Sequence, residues 1–138
     1  MSVVHFETTR AAREGLSDLL TAAVEGRPAT VQRGAGHRLA VLDSQRFVRF
    51  FMTARPSGAE VVPEDVGGYS ILLPGLPIHG DGDTLDEAID ETIDALRDYA
   101  EAWSERLRLA PNHERNDMLV QFVVAASDGE LKNWLLGA

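Results

Sequence analysis

The stretch "HGDGDTLDEAIDE", His79 to Glu91, holds six carboxylates in thirteen residues. A metal loop, a catalytic acid cluster and an acidic helix start would each imply a different protein. A calcium loop of EF-hand type needs oxygen ligands at alternate positions, a glycine at the sixth and a bidentate Glu at the twelfth. Counted from Asp81, the third position is Asp83, but the fifth is Leu85, the sixth Asp86 and the twelfth Thr92. An acid–base pair needs two carboxyls converging where water is scarce, so that their pKa values are driven apart. Here Asp86, Asp90, Glu91, Asp94, Asp98, Glu101 and Glu105 fall mainly opposite an apolar stripe. That stripe is Leu85, Ile89, Ile93, Leu96, Ala100, Trp103 and Leu107, spaced by threes and fours. "TLDE" reads as a capping box, with Thr84 as cap and Glu87 reaching back. Early acids also suit the positive end of a helix dipole. The stretch is therefore a helix start. The helix runs from Thr84 to about Leu109, roughly 38 Å at 1.5 Å per residue, and Pro111 ends it.

Working outward, "GGYSILLPGLPIHGDGD" is rich in turn residues around one clear strand, "YSILL". "RPSGAEVVPED", with two prolines and a glycine, is the best candidate for a domain boundary. Before it, "VVHF" is a short strand, and Thr8 or Thr9 can cap a helix in which Leu16, Leu19, Leu20, Ala23 and Val24 recur at helical spacing. Gly26 and Pro28 stop that helix. "ATVQR" and "RLAVLD" flank "GAGH" as a hairpin, and Asp43 or Ser44 caps "QRFVRFFMTA". The order is β-α-β-β-α. Beyond the long helix, "NDMLVQFVVAA" suits helix or strand and is read as helix. "SDGELKNWLLG" opens with a second capping box, Ser127 and Glu130, and puts Leu131, Trp134 and Leu135 on one face. The expected class is α+β with domains at residues 1–54 and 55–138.

The chain has 138 residues, 44% hydrophobic and 25% charged, an ordinary globular mixture. No apolar run approaches the ~20 residues of a membrane span. The opening "MSVVHFETTR" has neither a basic start nor a long apolar run, so no secretory leader is expected. Without cysteine there is no disulfide framework, thiolate metal site or Cys nucleophile. A cytoplasmic protein is the expectation. The net charge of −9 is unevenly spread: residues 1–52 carry seven arginines against five acids, and the remainder six basic against seventeen acidic side chains. An anion could dock on the first part, and a basic partner would be drawn to the second.

Little else carries chemistry. His5, His37, His79 and His113 are scattered, with no metal-ligand spacing. "RGAGHR" lacks the lysine and the strand–helix context of a phosphate loop. Serines 17, 44, 70, 104 and 127 form no nucleophile elbow. No catalytic residue, metal site, cofactor or small-molecule substrate is expected. Arg10 and Arg13, three apart near a helix start, share a face. With Thr8 and Thr9 they would suit phosphate contacts, or they simply form a solvated face.

"HFETTRAAREGLSDLLTAAVEGRPATVQRGAGHRLAVLDSQRF" resembles the N-terminal domain of the prevent-host-death (Phd/YefM) antitoxins. The matching pieces are "AAREGLSDLL", "VEGRPATVQRGAG" and "LAVLDSQRF", covering residues 3–50. It departs at "GRP" after the first helix and at Asp43 before the expected serine. "GGYSILLPGLPIHGDGDTLDEAIDETIDALRDY" is similar to the HicB antitoxin core, through Gly67, Gly68, Tyr69, Pro74, Leu76, Pro77, Gly82, Asp83, Thr84, Glu87, Ala88, Ala95 and Leu96. Ile78-His79 replaces the usual "GC".

The first resemblance implies a homodimer that contacts operator DNA through Arg10 and Arg13, with Thr9 as a weaker phosphate contact. The second implies a small antiparallel sheet packed on the long helix, without nuclease activity. Together they imply a type II antitoxin and autorepressor that neutralises a small basic toxin of the ribonuclease class. Charge then nominates Asp90, Asp94, Asp98 and Glu101 as toxin contacts. Leu131, Trp134 and Leu135 are either an apolar anchor for that toxin or a cap on the protein's own core. The alternative is a protein-interaction module that keeps both folds and does not bind DNA.

Overall fold

The computed structural model describes residues 2–137. The chain is α+β, with six strands in two sheets and six α-helices among the described residues. It divides into two compact units, Met1–Phe47 and Val48–Ala138.

In the first unit, β1 (Val4–Phe6) pairs in parallel with β2 (Ala29–Arg33), and β3 (His37–Ala40) pairs antiparallel on the other side of β2. The crossover from β1 to β2 is not one helix, as its spacing predicts, but two: α1 (Thr9–Glu14) and α2 (Leu16–Val24). They break at Gly15, where a Cβ would lie 2.2 Å from the Phe6 ring, so the aromatic side chain fills the space a larger residue needs. Thr8 is the cap of α1, its hydroxyl accepting from the Ala11 N–H at 3.0 Å. Leu19, Ala22, Ala23 and Ala29 form the core, with Val4, Phe6, Val31 and Val41 packed against it. Leu16, Leu20 and Val24 of the expected stripe are instead exposed. The α2 end is closed by Arg46, whose Nε donates to the Val24 carbonyl at 3.3 Å, a cation at the negative end of a helix.

The helix α3 (Ser44–Ala54) starts in the first unit and ends in the second. Asp43 caps it, accepting from the Arg46 N–H at 3.1 Å. The division between the two compact units falls at Phe47–Val48, within this helix, whereas the sequence offers "RPSGAEVVPED" as its boundary candidate. The reason is aromatic: Phe51 stacks on Phe122 with centroids 4.4 Å apart, which commits the end of α3 to the second core.

The second unit is a sheet of β4 (Glu60–Pro63), β5 (Tyr69–Leu72) and β6 (His79–Gly82), antiparallel in that order, with α4 (Leu85–Glu105) lying on one face. Of these three strands the sequence names β5, within "YSILL". "HGDG" is β6, and its two glycines, two residues apart, share the face that meets α4. A Cβ on Gly80 would lie 2.6 Å from the Thr92 backbone nitrogen, and one on Gly82 2.4 Å from that of Ala88. The helix rides almost on the strand backbone. Thr84 caps α4, accepting from Glu87 N–H at 3.1 Å, while the Glu87 carboxylate takes the Asp83 N–H one residue before the expected position.

The segment after α4 passes through short 3-10 turns to α5 (Asp117–Ala125) and α6 (Asp128–Leu136), so residues 117–125 are helix, not strand. Both halves of the Ser127–Glu130 capping box form. Arg97 stitches these helices to α4: its guanidinium donates to the carbonyls of Val123 and Ala126 and pairs with Asp128 at 2.8 Å. No helix among the described residues is long and apolar enough to cross a membrane.

Candidate functional site

The long helix sorts its residues cleanly. Ala88, Ile89, Thr92, Ile93, Leu96, Tyr99 and Ala100 are buried. At 100° per residue, Asp86, Glu87, Asp90, Glu91, Asp94, Asp98, Glu101 and Glu105 fall within an arc of about 140° on the opposite side, all exposed. Eight carboxylates over about 28 Å of axis give one negative charge per roughly 3.6 Å. One strand of DNA carries one per about 3.4 Å. Lys132 Nζ reaches Asp86 at 3.4 Å, but Asp90, Asp94, Asp98 and Glu101 carry no ion pair among the described residues. Such a face repels nucleic acid and attracts a cationic surface.

Thr9, Arg10 and Arg13 are all exposed on α1, within an arc of about 100°. Arg10 Nε lies 3.7 Å from the Glu14 carboxylate, an open contact at a side chain 87% exposed, so the guanidinium is available to a stronger anion.

Leu131, Trp134 and Leu135 do share a face, but that face is interior: they are 0, 4 and 4% exposed. Trp134 packs edge-on against Phe122 at 5.1 Å and donates its Nε1–H to the Arg55 carbonyl at 2.8 Å. Of the two roles the sequence left open, the core role is the one the fold uses. These side chains offer a partner no surface. The reason is the aromatic cluster of Phe51, Phe122 and Trp134, in which α3 meets the consecutive helices α5 and α6 from far away in sequence, so that no local pattern announces it.

Sequence reasoning missed one exposed row. Leu16, Leu20 and Val24, each four residues apart on α2, lie beside the buried row of Leu19 and Ala23. Their signal was an apolar arc wider than a small core can cover. Among the described residues no group of three or more His, Asp or Glu is placed to hold a metal ion.

The fold is similar to a crystal structure from Syntrophomonas wolfei subsp. wolfei, described as the antitoxin part of a proposed toxin/antitoxin system. The TM-score is 0.76 at 20% identity, over 94% of each chain. No curated protein matches the chain. The PHD-like family, described as antitoxin of toxin-antitoxin, RelE / RelB, TA system, matches residues 3–117, a span that crosses both structural units. The chain belongs to that family: it is an antitoxin of a toxin–antitoxin system, and not an enzyme.

Proposed function

We propose that this antitoxin joins a Phd/YefM-like first part to a HicB-like acidic second part, and divides two tasks between them. The second part neutralises a small basic toxin, a ribonuclease, by direct contact through Asp90, Asp94, Asp98 and Glu101. The observation that carries this reading is the charge density of the α4 face. A protein surface built to grip a nucleic-acid backbone would accept that face in its place, because the negative charges arrive at similar spacing.

The first part dimerises and represses its own operon in the cytoplasm, with Arg10 and Arg13 on phosphates and Thr9 beside them. The exposed row of Leu16, Leu20 and Val24 supports a dimer, since an apolar row on a helix is stabilised when another surface covers it. The deciding experiment is co-expression of the tagged chain with its neighbouring genes. A small basic protein should co-purify, be toxic alone, and cleave RNA only when freed from this chain. Absence of such a partner would refute the toxin reading.

A further inference from the structure

The α4 face supplies charge but no apolar contact, and interfaces draw most of their affinity from a few desolvated apolar or aromatic side chains. The anchors nominated from sequence are buried. The second unit does expose another apolar group, on the β4–β5 hairpin. Pairing of Val62 with Ser70 and of Glu60 with Leu72 sets Val62 and Leu72 on the face of the sheet away from Ile71, the residue buried toward the interior. Both are open, at 38% and 43% exposure. Beside them stand Glu60, Glu64 and Asp81, the last two within bonding distance of the Ser70 hydroxyl at 2.5 and 2.6 Å. β4 is also one of the two outer strands of its sheet, exposed along all four residues.

We infer that this hairpin is the apolar anchor of the toxin interface: the basic partner lays an extended segment along β4, its apolar side chains on Val62 and Leu72 and its cations on Glu60, Glu64 and Asp81. An outer strand leaves main-chain groups free to pair, and such edges are either blunted or used. Charge selects the occupant. A second copy of β4 would bring its own carboxylates against Glu60 and Glu64, and like charges across paired strands destabilise. A basic segment turns the same carboxylates into contacts.

The inference rests on the antitoxin's proposed basic partner, and one experiment separates the two. The protein encoded next to this chain is purified and its dissociation constant measured against the full-length wild type, Val62→Arg/Leu72→Arg and the milder Val62→Ser/Leu72→Ser. Both positions changed are on the surface, so thermal melts close to wild type are expected, and the serine pair covers the case in which arginine disturbs the sheet. The arginine pair should weaken binding by about 30-fold or more and the serine pair by about tenfold, mainly through faster dissociation. Wild-type binding with folded variants within twofold of it would overturn the hairpin assignment alone. No binding by wild type would overturn the basic-partner reading and this surface with it. A change in the sedimented mass of the free chain on Val62→Arg/Leu72→Arg would show that the hairpin joins two copies, which also overturns the assignment.

Discussion

Gly80→Ala should be among the most damaging single methyl additions in this protein. The new Cβ would stand 2.2 Å from Thr92 Oγ1, 2.6 Å from the Thr92 nitrogen and 2.8 Å from the Ala88 carbonyl oxygen. The hydroxyl can rotate away, but the other two atoms are helix backbone. To reach ordinary contact, α4 would have to retreat by about 0.8 Å along its closest approach to β6. The neighbours cannot follow freely, because Ala88, Ile89, Thr92 and Ile93 are buried against the same sheet. Overpacking of this kind costs about 3 kcal/mol, at the upper end of its usual range, since backbone rather than a side chain must yield. For a chain of this size that is roughly a 10 °C fall in melting temperature. Trp103 and Trp134 both lie in the second unit, so tryptophan fluorescence in a urea titration reports this unit directly. Two controls sharpen the test. Gly80→Ala/Thr92→Ala removes the hydroxyl clash but not the backbone one and should recover little. Gly129→Ala, where a Cβ meets only Ser127 Oγ at 3.9 Å in a helix, should be neutral or stabilise by about 0.5 kcal/mol. A Gly80→Ala protein that melts within about 1 °C of the parent would refute the close approach of helix and strand.

Three further outcomes are expected. Arg97→Met keeps the stem but leaves the carbonyls of Val123 and Ala126 without their donor. It should cost about 2 kcal/mol in the same urea titration, with little from the partly exposed Asp128 pair. Asp94→Lys/Asp98→Lys should slow association with the toxin about tenfold at low salt, and the difference should shrink as salt screens the face; stopped-flow rates unaffected at low salt would remove α4 from the encounter. Arg10→Ala/Arg13→Ala should reduce the slope of log affinity against log salt for operator DNA by about 1.8 per protomer, if each guanidinium releases counterions from one phosphate; an unchanged slope by fluorescence anisotropy would favour the module that does not bind DNA.

What the sequence disclosed follows the range of the forces involved. Helix α4 was legible because its stripe and its Thr84 cap are local, and its end came early only because Arg106 leaves helical geometry before the expected Leu109. The Ser127–Glu130 box was equally local and formed as read. The strands β4 and β6 were not legible. β4 is exposed along its length and shows no alternation, and β6 contains two glycines whose purpose is visible only once α4 lies on them. The break at Gly15 depends on Phe6, nine positions away, and the position of the unit boundary on Phe122, seventy-one beyond Phe51. Exposed arginines and carboxylates were found by type and spacing. Whether an apolar face was core or contact could not be, because Trp134 and Leu20 satisfy the same helical pattern and differ only in what the rest of the chain brings against them.

That difference bears on how the antitoxin would hold its partner. A toxin-binding segment that folds only on contact gives up part of its interaction energy to ordering. Here the final helix is already closed at both ends, by the Ser127–Glu130 box and by Gly137 in a left-handed conformation, and its Leu131, Trp134 and Leu135 are consumed by the chain's own core. The acidic face of α4 is rigid for the same reason, since Arg97 and the aromatic cluster fix α5 and α6 beneath it. Preorganised charge is spent on encounter rather than on folding, so affinity has to come from apolar surface that stays open in the free protein. The β4–β5 hairpin meets that requirement and the terminal helix does not. Binding of the toxin should therefore leave the helical content of this chain unchanged by circular dichroism, whereas a large gain of helix would mean that the second unit is not complete without its partner.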